Sequence, residues 1–272
     1  VTGIWDIGRG ELTEGWSRSY QHYLDKFEQL LKVDENLIIY GDEELKEFVF
    51  SRRNTSNTQF ITRPLSWFRN SDYFDKIQLN NYTVLILPEG NCQKIISESK
   101  LAEIQTWIKN GGKLIVMGSA MNRLVDQPEF VLKSFKKEGN EEKPALIPYK
   151  ELENEQMKNE ITGAIFKTTL DNSHPLAFGI GNSYFSLKMS NESFPLLTKG
   201  FNVAYLENEP KPIAGYAGSE ALKKIGNSIV FAEEPMGKGT VIYMADNPLF
   251  RGFWESGNLF FANAVFLTNN HY

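Results

Sequence analysis

Chemistry-capable side chains stand at the ends of several apolar runs in this 272-residue sequence. Asp6-Ile-Gly-Arg-Gly10 places a carboxylate and a guanidinium at the end of a first strand. Its two glycines lack a Cβ, so a phosphate can approach the backbone amides while Arg9 pairs its oxygens. Ser119, in Val116-Met-Gly-Ser-Ala-Met-Asn122, sits where a strand turns into a helix and reads either as a hydroxyl nucleophile or as a helix N-cap. His174-Pro175 follows a strand and reads as a ligand or catalytic group, or as a hydrogen-bonded turn histidine. Asp246-Asn247-Pro248 and Arg251 come after Val241–Ala245, and the carboxyl ends of strands in open α/β sheets line a ligand crevice. The structural alternative there is a salt bridge, with Asp246 capping a helix. Cys92, after an earlier strand, is a reactive thiol or a half-buried loop cysteine.

The same inventory excludes other chemistries. Three histidines, His22, His174 and His271, stand at no metal-ligand spacing, and a single cysteine rules out an internal disulfide or a multi-cysteine site, so neither a metal nor a cofactor is expected. Twenty-nine basic against 34 acidic residues give a net charge of −5, a poor footprint for nucleic acid or an anionic membrane surface. No apolar run is long enough for a membrane span, and the opening residues lack the charged-then-apolar plan of a secretory leader.

The elements that must position these groups alternate between β-rich runs and amphipathic stretches, which predicts a layered α/β fold with a mostly parallel sheet. Val1–Gly8, Asn36–Gly41 and Gln59–Thr62 read as strands. Between them fall a helix carrying Trp16, Tyr20, Tyr23, Phe27, Leu30 and Leu31 on one face and a second helix capped by Asp42. Tyr82–Pro88 reads as a strand buried on both faces, Ser97–Lys109 as a helix turning Leu101, Ile104, Trp107 and Ile108 inward, and Lys113–Gly118 as the next strand. Lys133–Glu160 is a solvated excursion. Strands follow at Gly163–Leu170, Phe201–Leu206 and Ser228–Glu233, then a hairpin turn at Pro235–Gly239 into Val241–Ala245, and a closing helix near Gly257–Leu267.

Two families are matched by particular stretches. Leu85-Ile-Leu-Pro-Glu-Gly-Asn91, Trp107-Ile-Lys-Asn-Gly-Gly-Lys-Leu-Ile115, Asn172-Ser-His-Pro-Leu-Ala-Phe-Gly179 and Ala245-Asp-Asn-Pro-Leu-Phe-Arg-Gly-Phe-Trp254 resemble the C-terminal domain that follows the peptidase unit in bacterial zinc carboxypeptidases. That resemblance implies a three-layer, flavodoxin-like fold of the class I glutamine amidotransferase type, with added β-hairpin strands. It also implies a secreted or periplasmic setting beside a peptidase catalytic domain. The amidotransferase nucleophile position falls on Ala120, so the implied role is non-catalytic, structural or ligand-binding. Trp5-Asp-Ile-Gly-Arg-Gly10, Tyr23-Leu-Asp-Lys-Phe27 and Asn36-Leu-Ile-Ile-Tyr-Gly-Asp42 resemble the HtrL/YibB family, which is similar to nucleotide-sugar glycosyltransferases. That resemblance implies a nucleotide-sugar role for Asp6 and Arg9, although the acidic metal-binding stretch expected later has no counterpart. The sequence therefore reads as a fusion of residues 1–76 with an amidotransferase-like domain over 77–272. The first three strands are expected to extend the sheet of the second part, because a three-strand lobe of ~75 residues is marginal alone. A small molecule or saccharide is the expected ligand.

Overall fold

In the computed structural model, described over residues 2–3, 20–32, 37–41, 43–62, 77–135, 148–252 and 254–268, the chain divides after Lys76 into two units, Val1–Lys76 and Ile77–Tyr272. The first unit contains β1 (Thr2–Gly3), α1 (Tyr20–Leu31), β2 (Leu37–Gly41), α2 (Glu43–Phe50) and β3 (Thr58–Thr62). Its strands form their own parallel sheet in the order β1-β2-β3. Phe27 and Leu31 of α1 and Leu45 and Val49 of α2, each pair four residues apart, pack with Ile39 of β2 into a core of their own. Arg53 ties the ends together, donating through Nε to Thr58 Oγ1 at 2.7 Å and through a terminal nitrogen to the Leu31 carbonyl at 2.9 Å. Among the described residues these strands form a separate sheet and do not add to the larger one. Two packed helices supply enough apolar surface to close a separate core. Trp16 and Asp42 lie outside the described residues.

The second unit contains β4 (Val84–Leu87), α3 (Glu98–Lys109), β5 (Lys113–Met117), α4 (Leu152–Lys158), β6 (Ile161–Leu170), β7 (Tyr184–Lys188), β8 (Phe201–Leu206), β9 (Pro212–Ala217), α5 (Ser219–Lys224), β10 (Ser228–Met236), β11 (Gly239–Met244) and α6 (Glu255–Phe266). Its sheet has eight strands, ordered β4-β5-β11-β10-β8-β6-β7, with β9 paired to β6. Among the described strands of this unit only β4–β5 and β5–β11 are parallel. The pairings β11–β10, β10–β8, β8–β6, β6–β7 and β6–β9 are antiparallel. This corrects the mostly parallel, flavodoxin-like expectation. The strands from β6 to β11 pair antiparallel with one another, so no parallel crossover is needed among them, and β10 simply turns back into β11 at Gly237.

The sheet also curls on itself. β7 lies three positions from β10, which would put them about 14 Å apart in a flat sheet. Yet Tyr184 of β7 packs its ring 5.2 Å from Phe231 of β10 and 4.9 Å from Phe260 of α6. On the two faces of this sheet Val203, Ala204, Phe166, Val230, Ile242 and Phe260 are fully buried. α3 closes the other side with Leu101, Ile104, Trp107 and Ile108, and Ser97 caps it by accepting from the Lys100 amide. β4 is an edge strand rather than one buried on both faces, with Ile86 exposed.

Candidate functional site

The parallel part of the sheet orients the site. β4, β5 and β11 run in the same direction, and their carboxyl ends deliver Glu89, Gly118 and Asp246-Asn247 to one cleft of about 100 Å³, whose opposite wall includes Ser190 and Glu192. Gly118 turns the chain at φ +50°, and a Cβ there would stand 3.0 Å from Glu89 Cγ, so a glycine lets the two strand ends converge. Asn247 donates through Nδ2 to Glu89 Oε2 at 3.2 Å and accepts from the Leu249 amide, which fixes the carboxylate of one strand end against the amide of another.

Asp246 is buried, and its two oxygens are separately engaged. Ser186 Oγ donates to Oδ2 at 2.7 Å and Lys188 Nζ donates to Oδ1 at 2.9 Å. Lys188 is itself only 2% exposed and gives a further proton to the Glu192 carbonyl at 2.8 Å. A buried ammonium is tolerated because its protons and its charge are matched on the spot. Burial, followed by the negative charge of Asp246, pushes the Tyr184 hydroxyl well above the usual tyrosine range, so it stays protonated beside the pair.

His174 belongs to a different cluster. Its Nδ1 accepts from the Leu176 amide at 3.2 Å and its Nε2 lies 3.1 Å from Glu233 Oε2, with both side chains buried. Thr240 Oγ1 donates to Glu233 Oε1 at 2.7 Å. Both ring nitrogens are thus committed, and no nitrogen remains to activate Ser119. Next to this pair, Glu234 accepts from the Tyr243 hydroxyl at 2.6 Å and from the Val131 amide at 3.1 Å. Burial outweighs these bonds and raises the Glu234 carboxyl above its ordinary range. Lys113, lowered mainly by burial and partly compensated by Glu233, donates to the Val265 carbonyl near the end of α6.

The remaining sequence candidates fall as follows. Ser119 is half-buried inside a 3-10 turn over Gly118–Arg123, whose N-cap is Met117, and it faces a second cleft with Asn91, Gln93 and Asn122. Ala120 is fully buried. Cys92 is buried in the turn after β4, and burial raises its thiol pKa, which disfavours the thiolate. Arg251 is exposed at φ +54° with its guanidinium 5.1 Å from the Phe250 ring centre, and the salt bridge of Asp246 goes to Lys188. Asp6 and Arg9 lie outside the described residues. The structure adds Lys188, Ser186, Glu89 and Glu233, none of which stood out in the sequence. Among the described residues no group of histidine, cysteine, aspartate and glutamate has a metal-binding arrangement, and no helix is long and apolar enough to cross a membrane.

Comparison with known proteins supports one of the two resemblances in part. Residues 1–86 match the HtrL_YibB family, described as a bacterial protein of unknown function. The match runs past the division of the chain at Lys76 and takes in most of β4. The peptidase-associated resemblance finds no counterpart. No curated protein matches the chain. Among solved structures the chain is similar to an exo-beta-1,4-mannosidase from Opitutaceae bacterium strain TAV5, at 11% identity and a TM-score of 0.35; the alignment covers 92% of this chain and spans 39% of that one.

Proposed function

We propose that residues 77–272 form a non-catalytic, ligand-binding accessory module whose ligand sits at the carboxyl ends of β4, β5 and β11. The observation that carries this reading is the convergence of Glu89, Asn247 and Asp246 on one cleft whose polar groups are held by one another rather than by an activated nucleophile. The turn after β5 carries Ala120, fully buried and without a nucleophilic atom, and the histidine candidate His174 has both nitrogens spent on Leu176 and Glu233. A preorganised polar cleft without a nucleophile–base pair is suited to binding rather than to acyl transfer. The nucleotide-sugar role read for Asp6 and Arg9 belongs to the N-terminal unit, where both residues lie outside the described residues.

Crystals of the full chain soaked with small polyols and amino acids should show density in the Glu89–Asp246 cleft, and the purified protein should release no ammonia from glutamine above a buffer blank. Turnover of glutamine that is lost in Ser119→Ala or His174→Ala would overturn the accessory reading.

A further inference from the structure

We infer that the outer face of β6 and β7, together with the strand-end cleft, docks an extended polypeptide segment that sets a lysine or arginine among apolar side chains; this rests on the accessory reading and names the partner class for it. A strand with one solvated face turns its polar side chains outward, and β7 is built the other way round. Tyr184, Ser186 and Lys188 are buried, whereas Phe185 is 40% exposed, Leu187 is half-buried and Met189, just beyond the strand, is 49% exposed. These three stand two residues apart and span about 13 Å. The register sets Leu187 beside Ile165 and Ile165 beside Ala214 of β9. Met189 reaches over Gly163, where a Cβ would stand 3.7 Å from its Sδ. The row is thereby widened into a contiguous apolar patch of the kind that marks a contact surface. Lys167, the charged residue of β6 on this face, stands opposite Phe185, at the end farther from the cleft.

The cleft decides what lies on that face. Leu187 and Met189 line it together with Glu89, Glu192 and Asp246, so the patch and the cleft are continuous. Lys188 matches the charge of Asp246 at 2.9 Å. Among the described residues Glu89 and Glu192 have no such counter-charge. Glu89 accepts from Asn247 Nδ2 at 3.2 Å and Glu192 accepts from Asn122 Nδ2, and a neutral amide leaves each carboxylate its full charge. Lys223 and Lys224, which share a neighbouring cleft with Glu192, are held by Glu220 and by Asn159 Oδ1. Three carboxylates against the one ammonium of Lys188 leave the cleft negative, and a concave site focuses that field on an incoming cation. At about 100 Å³ the cleft is well below the roughly 300–1,000 Å³ of pockets that enclose a whole drug-sized ligand, so it takes a cationic head group whose remainder lies outside. The surface next to it is the apolar row. An extended polypeptide turns alternate side chains to one side at the same two-residue period as Phe185, Leu187 and Met189, and its lysine or arginine carries the head group on an apolar stem.

The test is calorimetric titration of the full chain with an acetylated, amidated nonapeptide that carries one central lysine between alternating leucines and serines. Two relatives compete with it, one with glutamate in place of the lysine and one with serine in place of every leucine. The first peptide should bind, and each relative should bind at least tenfold more weakly. Glu89→Gln combined with Glu192→Gln removes both charges while keeping an acceptor for each asparagine, and should weaken the first peptide tenfold or more with an unchanged melting temperature. Phe185→Ser combined with Met189→Ser should do the same through the apolar row. Glu209→Gln, an exposed carboxylate outside the cleft, should change it less than twofold. Absence of binding, binding by either relative within tenfold of the first peptide, or full binding by either double variant overturns the docking assignment. Ligand density at Glu89–Asp246 would then still support the accessory reading. Conversely, cleavage of the bound peptide, seen by chromatography, overturns the accessory reading and leaves the docking surface standing.

Discussion

Lys188 of β7 and Asp246, just beyond β11, meet at 2.9 Å although their strands stand four positions apart in the sheet. The contact closes the curl. It joins the antiparallel end of the sheet to the parallel end, beside the cleft at the strand ends. Trp254 reinforces the junction by donating to the Phe185 carbonyl at 2.8 Å. The interaction that shapes the fold thus also shapes one wall of the candidate site.

Removing one partner of this pair should be more damaging than removing both. Lys188→Met leaves Asp246 buried with Ser186 as its remaining partner, and an uncompensated buried charge costs about 3–5 kcal/mol. The double replacement Lys188→Met with Asp246→Leu removes both charges and should recover most of that loss. Urea denaturation of the three proteins measures it. Equal losses in the single and double variants would show that the pair does not act as a buried ion pair.

A second expectation concerns His174. Its ring caps the turn at Leu176 and satisfies buried Glu233. His174→Ala should cost about 2–4 kcal/mol, because it removes one partner of a buried carboxylate and leaves the Leu176 amide without its acceptor. Ligand affinity at the strand-end cleft should be unchanged. Lost affinity with unchanged stability would instead make His174 part of the site.

The pH dependence of stability has a definite sign at Glu234. Its carboxyl is raised in the folded protein, mainly by burial, so its favourable contribution is fully present below the unfolded carboxylate range near 4.5 and is lost as pH rises through the higher folded value. Glu234→Gln removes that dependence while keeping an acceptor for the Tyr243 hydroxyl. The stability of the wild type relative to Glu234→Gln should therefore decline from pH 4 to pH 7 in parallel denaturation curves. A relative stability that rises over this range would reverse the assignment.

These same groups explain what the sequence did and did not reveal. α3 and β5 were legible because Leu101, Ile104, Trp107 and Ile108 follow helical spacing and Lys113–Met117 is a continuous buried run. β7 was not, because its pattern is inverted. Tyr184, Ser186 and Lys188 point inward to Asp246, while Phe185 faces out and Leu187 is only half-buried. Read as a half-buried strand, the alternation puts the wrong face in the core. β9 opens with Pro212 and contains Gly215 at φ +83°, where a Cβ would stand 2.1 Å from the Gly163 carbonyl, and such a stretch reads as a turn. Asp246 was legible from its place after a strand, but its partner lies 58 residues away in sequence, and Glu89 lies 158 residues from Asn247. Only the curl brings them together.

The overlap between the family match and the sheet gives the last expectation. Residues 1–86 match one family, yet β4, at Val84–Leu87, pairs with Lys113–Val116 of β5. A fragment of residues 77–272 keeps every strand of the eight-stranded sheet and should melt cooperatively as a monomer. A fragment of residues 88–272 differs by only eleven residues. It loses β4 and Leu79, whose side chain is buried, and bares the backbone edge of the fully buried strand β5. An open apolar edge pairs with other chains, so this shorter fragment should aggregate or bind a hydrophobic dye. Side-by-side thermal melts and light scattering decide the matter. If both fragments melt alike, β4 belongs energetically with the N-terminal unit, and the division of the chain should be redrawn to follow the family match instead of the sheet.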